Sequence, residues 1–456
     1  MIVTALAFVL TLGVLIVVHE YGHYRVAVAC GVRVQRFSIG FGRVLFSRVR
    51  GADRTEFVVC ALPLGGYVKM LDEREEPVAP HEQHRAFNRQ SLPRRAAIVS
   101  AGPLANLLLA VLLYAAAHWI GIEEPKAVLG TPPAASVVES AGLRAGDWVR
   151  AVSRDGLAWD EVESMTDLRW QVTQAAMQGR SLDLEVSNRD GHGTRRLHLD
   201  LSAYSVRDVD SGLVSELGFG APFSEARIGE VRAGSPGAAA GLQAGDRVLM
   251  VDGQPVADAT ALVRRVRAAV HEGEGVPMRW RVERGGAELE VSVVPRVVQA
   301  DGQGVGRIDT VVGSMPETTL VRRGFVDGLE QGVARTWEVS TLTVRMIGNM
   351  LIGEASLKNL SGPLTIADYA GQSVQRGAAV YLGFLALVSV SLGVLNLLPL
   401  PMLDGGHLMY YIFEAVTGRP VSELWLARLQ RGGIAVLLMM MSLALFNDVA
   451  RLLGLH

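Results

Sequence analysis

Cysteine is nearly absent from this 456-residue chain: Cys30 and Cys60 are its only two, so nothing beyond Cys60 can be held by a disulfide framework. An excess of charge is also missing, because 44 Lys and Arg face 46 Asp and Glu, a formal net charge of −2. That balance argues against nucleic-acid binding as the main activity. No charged residue occurs from Ile2 to Val18, and no Lys or Arg precedes His19. The segment therefore has no basic n-region, and His19, Glu20 and Arg25 interrupt its apolar run, so it reads as a retained membrane span and not as a cleaved signal.

What is present is apolar. Hydrophobic residues make up 49%, mean hydropathy is +0.26, and 20% of residues are still charged. Apolar blocks joined to a water-soluble block would give that mixture, and the length allows two to four domains. Four blocks approach the roughly 20 apolar residues a membrane helix needs: residues 1–31, 96–122, 378–406 and 432–453. Between Gly31 and Arg95 lie 12 Lys and Arg residues, and Arg419, Arg428 and Arg431 precede the last block. The positive-inside rule places both stretches in the cytoplasm. Four crossings then put the polar stretch between the second and third spans on the outer side, which in a bacterium is the periplasm.

That polar stretch contains a repeat. "AGLRAGDWVRAV" (Ala141–Val152) and "AGLQAGDRVLMV" (Ala240–Val251) agree at eight of twelve positions, 99 residues apart. Gly-rich turns followed by alternating apolar residues predict two similar β-rich domains, 126–220 and 221–297. "SPGAAAGLQAGDRVLMVDGQPV" (Ser235–Val256) resembles the PDZ family of bacterial envelope proteases. The resemblance implies peptide capture by strand addition. A spacer or size filter with an unused groove is the alternative. Residues 317–373 are expected to hold an amphipathic helix, against the soluble domains or the membrane surface, and a turn-rich linker, Asn359–Ser373.

The first span contains His19-Glu20-x-x-His23. Spacing i, i+4 puts both imidazoles on one helical face, where they can share an ion, with Glu20 placed as general base. Polar groups in a membrane span cost about 2.5–3.5 kcal/mol per charge on the lenient scale, so they point to function. The partner stretch is "NLLPLPMLDGGH", Asn396–His407. Pro399 and Pro401 should break the third span at membrane depth. Directly after them comes Asp404, followed by Gly405 and Gly406, which permit close backbone approach. Two histidines, one carboxylate and an open position make a catalytic zinc site. A fourth protein ligand would close it, so His407 is read as a non-ligand, and His81 and His84 as solvated.

Membrane-embedded H-E-x-x-H, a distant N-x-x-P-x-P-x-L-D-G and intervening PDZ-like repeats resemble the site-2 protease family of intramembrane zinc metalloproteases. The resemblance implies Zn2+ on His19, His23 and Asp404, and Glu20 as catalytic acid/base. It implies substrate contacts by Asn396, Asn106 of "GPLAN" (Gly102–Asn106), Pro399 and Gly405. It implies that residues 32–95, which by pattern alone read as cytoplasmic β-hairpins, dip a hairpin into the membrane to hold substrate as an added strand. Single-span membrane proteins are the implied substrates, in particular an anti-sigma factor trimmed by a periplasmic protease, and remnant signal peptides. The expected fold is a multi-pass α-helical membrane protein with four spans, membrane-associated β-hairpins and two periplasmic PDZ-like domains, in contact with lipid, peptide and substrate but not nucleic acid. Two other classes compete: a non-catalytic membrane PDZ scaffold, against which the intact Glu20 speaks, and a metal transporter, which would not need two peptide-binding domains.

Overall fold

The computed structural model describes residues 2–204, 216–300, 303–352 and 362–452. The chain forms two compact units, one of residues 1–122 with 322–456, the other Glu123–Val321.

The first unit is helical around one long β-hairpin. Four of its helices are long and apolar enough to cross a membrane: Ile2–Ala29, Leu92–Ile120, Ala378–Leu397 and Leu424–Val449. On the second of these, Leu104, Leu108 and Leu112 are all exposed and repeat every fourth residue, an outward apolar stripe suited to lipid. Small residues set the helix contacts. Gly22, within the H-E-x-x-H segment, sits so close to the second span that a Cβ would lie 2.4 Å from the Ala101 carbonyl oxygen. On the third span, Gly393 packs over the Pro103 carbonyl, and Ser389 Oγ donates to the Asn106 carbonyl at 2.7 Å. This is the small-residue and hydroxyl packing of membrane bundles.

Helix Phe325–Leu351 lies along the second span. Gly328 meets Trp119, and Gly332 meets the Val111 carbonyl at a would-be Cβ distance of 2.5 Å. The stretch expected to be a turn-rich linker is, from Pro363, a 13-residue helix, Pro363–Gln375. Proline at its start is compatible with helix because the first N–H groups need no intrahelical partner. Those N–H groups go to Asp448: its carboxylate accepts from Gly362 N at 3.0 Å and Leu364 N at 2.9 Å. Asn359–Ser361 lie outside the described residues. The last helix is Glu423–Leu452, so Arg428 and Arg431 sit on it and not in a preceding loop.

Val34–Arg50 and Thr55–Met70 pair into one hairpin where the sequence pattern suggested separate ones. Phe37 pairs with both Val68 and Phe57, and Ser38 with both Tyr67 and Val58. Arg36–Ile39 is thus flanked on both sides, while Gly66–Met70 has a strand partner on one side only among the described residues.

The second unit contains two cores, one from Ala127 to Phe219 and one from Ala226 to Ile308. Each is covered by a four-stranded sheet of the same order. The first runs Asp160–Glu161, Trp148–Ser153, Leu182–Ser187, Arg195–Leu199; the second runs Gln254–Pro255, Arg247–Val251, Met278–Arg284, Ala287–Val293. The repeat is kept in its details. Ser136 and Ser235 cap the equivalent short helices, accepting from Glu139 N and Ala238 N. Asp147 and Asp246 accept from Arg144 N at 2.8 Å and Gln243 N at 2.9 Å, and pair with Arg195 and Arg284. Burial works to raise the Asp246 carboxyl, but the Arg284 hydrogen bonds, the Gln243 N–H and the Arg284 charge together outweigh it and hold it below the usual range. The second domain continues past residue 297: Ile308 belongs to its core, and Thr310–Val312 pairs with Ile228–Val231. Arg296–Ala300 pairs locally with Gln303–Arg307, whereas Thr310–Val312 has its partner far back in the sequence, which a local pattern does not reveal.

Candidate metal centre

The helix Ile2–Ala29 carries His19, Glu20 and His23 on adjoining positions of one face. The opposing ligand comes from the far end of the chain. The third span stops at Leu397, and the backbone turns through residues 398–403 with Met402 at φ 84°, so that Asp404 opens helix Asp404–Thr417. Glycine is required at the next two positions. A Cβ on Gly405 would lie 2.1 Å from the Leu398 carbonyl oxygen, and one on Gly406 2.4 Å from that of Leu400. Arg95, stacked over the Tyr411 ring and paired with Glu414 at 2.6 Å, pins this helix to the start of the second span.

The three donors converge. His19 Nε2 and His23 Nε2 are 3.2 Å apart, and Asp404 Oδ2 lies 3.2 Å from the first and 3.5 Å from the second. Ligands at about 2.0–2.1 Å from a tetrahedral zinc stand about 3.3 Å from one another. The donor set and its spacing therefore fit that ion. Among the described residues this is the one group of three His, Cys, Asp or Glu donors close enough to share a metal, and His407 is not part of it. The second ring nitrogens are also held, as metal-binding histidines require. His23 Nδ1 lies 2.8 Å from the Ile98 carbonyl oxygen, and His19 Nδ1 lies 3.3 Å from the Asn106 amide. Gly102 makes room for the His23 ring, since a Cβ there would lie 2.2 Å from Nε2.

Glu20 stands beside the cluster without joining it, its Cγ against the backbone of Gly66. A cavity of about 640 Å³ opens on these groups; Asn396, His407 and the edge Gly66–Met70 line it too. The other expected substrate residues are placed differently. Asn106 is fully buried and faces His19, Gly405 is packed on carbonyl groups, and Pro399 is exposed outside the cavity lining. The latter two shape the break that delivers Asp404. Sequence reasoning missed the Ile98 carbonyl, which as a backbone group carries no side-chain signal. It also missed the cavity's charged mouth, where Arg74 makes two hydrogen bonds to Asp72, at 2.9 and 2.6 Å.

The model of Peptidase family M50 matches residues 7–440. A candidate zinc metalloprotease of Ralstonia nicotianae is 44% identical over 99% of both chains. The regulator of sigma-E protease of Escherichia coli is 40% identical over 98% of both, and a protease of Yersinia pestis 39% over 98% of both. The chain belongs to Peptidase family M50.

Proposed function

We propose that this member of Peptidase family M50 is an intramembrane zinc endopeptidase that cuts single-span membrane proteins. One observation carries the reading: three metal donors, two from the first span and one from the helix that follows the third, converge within 3.5 Å of one another beside an unused carboxylate, Glu20. His19, His23 and Asp404 would hold the ion. When bound, zinc would polarise the scissile carbonyl and acidify a water. Glu20 takes the proton of the attacking water and passes it to the leaving nitrogen, so that its carboxylate is regenerated.

The edge Gly66–Met70 supports a mode of substrate binding. A helical peptide bond is shielded by its own hydrogen bonding, so a substrate span must unwind, and an extended segment can pair with an open strand edge. Gly66 neighbours Ile16 and Glu20 within the first span, whereas Met70 pairs with Val34 beyond its end. With the arginine-rich segment cytoplasmic, an antiparallel partner on this edge enters from the cytoplasm with its N-terminus there. Asn396, on the cavity wall, is placed to contact the substrate backbone. The Glu123–Val321 unit, with its duplicated PDZ-like sheets, is read as periplasmic, binding peptide or excluding bulky substrates. The Escherichia coli relative is named a regulator of sigma-E protease; an anti-sigma factor as substrate, in an envelope stress response at the inner membrane, is compatible with that name and is the reading proposed for this chain.

The test compares two variants of the purified chain by metal analysis and by cleavage of a model single-span substrate. Glu20→Gln should abolish cleavage with zinc retained near one per chain. Asp404→Asn should lose both zinc and cleavage. Full activity in Glu20→Gln would remove the hydrolytic mechanism.

A further inference from the structure

His407 lies one helical turn beyond Asp404 on the helix Asp404–Thr417 and lines the same cavity as the metal donors and Glu20. It is not one of the converging donors. Its ring is turned edge-on to Tyr410, centroids 5.9 Å apart at 84°. Among the described residues its side chain makes no hydrogen bond, whereas both metal-site histidines use both ring nitrogens. A neutral imidazole always carries one N–H. No protein group takes up that donor among the described residues, and it is not sealed from the cavity, so it is open to a ligand there.

The cationic donors lining the cavity are committed, which leaves the uncharged ones, His407 and Asn396 among them. Arg74 is held by both carboxylate oxygens of Asp72, and Lys69 reaches Glu76 at 3.4 Å. Glu20 as a base can only accept. Peptide hydrolysis gains from a donor beside the polarisation that zinc would supply: the carbonyl oxygen acquires a full negative charge as water adds, and a fixed N–H at it stabilises the transition state.

Resting on the endopeptidase reading, we propose that neutral His407 donates its ring N–H to the carbonyl oxygen of the scissile peptide as that oxygen becomes an oxyanion. In this step the water oxygen bonds to the carbonyl carbon, the water proton goes to Glu20, and the carbonyl π pair moves onto the oxygen facing His407. Collapse returns that pair, breaks the C–N bond, and the proton on Glu20 leaves with the amine. His407 neither gains nor loses a proton.

The experiment uses the full chain in lipid nanodiscs and the variants His407→Phe and His407→Asn. It reads zinc content, kcat and KM on a single-span model substrate, and the affinity of a phosphinic peptide whose tetrahedral P–O− mimics the oxyanion. His407→Phe should keep zinc and KM and lose about 100-fold in kcat, the scale of one missing oxyanion donor. Phosphinate affinity should fall in proportion. His407→Asn, which keeps an N–H, should recover part of both. Unchanged kcat in His407→Phe overturns the proposal, and so does loss of zinc in both variants, which would make His407 a metal or folding residue. Equal losses in both variants with phosphinate affinity intact overturn it as well. A wild-type chain that holds zinc and cleaves nothing refutes the endopeptidase reading itself.

Discussion

The Asn106 amide lies 3.3 Å from Nδ1 of His19, from a position on the second span where it is wholly buried, and among the described residues Asn106 Oδ1 has no hydrogen-bond partner. A histidine that binds metal through Nε2 carries its proton on Nδ1 and needs an acceptor there. The amide face that suits this is Oδ1. With Oδ1 turned to Nδ1–H, the orphaned oxygen is satisfied and Nε2 is left free for the metal.

Replacing Asn106 by Leu, similar in volume but without an acceptor, should weaken zinc affinity by about 10–100-fold, the usual cost of losing such a partner. Asn106→Asp should retain more of it, because the carboxylate still accepts from Nδ1–H. A competition titration against a zinc chelator measures both. Equal affinity in wild type and Asn106→Leu would leave Asn106 as a packing residue only.

Topology can be read with single cysteines in a chain whose Cys30 and Cys60 are replaced by Ala. Cys60 is buried, so its own silence towards a reagent would mean little. Ala79 and Asp190 are exposed, one in the arginine-rich segment and one at a turn of the first β-domain. With the outer membrane permeabilised, an impermeant thiol reagent should label Asp190→Cys and spare Ala79→Cys. The reverse pattern would invert the orientation.

The boundary of the second β-domain changes how a size-filter role is tested. Excision must run from Glu123 to Val321, because a cut at residue 297 would strand Ile308 and the Thr310–Val312 strand. The two ends are neighbours: Arg323 N donates to the His118 carbonyl at 3.1 Å, so a short linker can join Ile122 to Arg322. The shortened chain should keep its zinc, since all three donors lie in the other unit. If the unit excludes bulky substrates, this chain should cut full-length single-span proteins that the intact chain cuts only after trimming. An unchanged preference at matched expression would assign the β-domains another role.

The sequence by itself determined the elements whose signals are local. Apolar length marks the spans, i, i+4 spacing puts His19 and His23 on one face, and eight shared positions in twelve announce the duplication. It also placed Asp404 after a proline break, because Pro399 and Pro401 so close together remove helical hydrogen bonds that a lone proline, such as Pro103 within the second span, can forgo. Only the tertiary structure decided what depends on groups distant along the chain. The Ile98 carbonyl orients His23, Asn106 turns to His19 and not to the cavity, and the strand Thr310–Val312 returns to a domain that had seemed complete. Helix Pro363–Gln375 reads as turns until Asp448, from another helix, satisfies its first N–H groups. A residue's intrinsic preference is written in its own side chain, whereas a hydrogen-bond partner is supplied by whatever the fold brings alongside, and that is set only when the chain has packed.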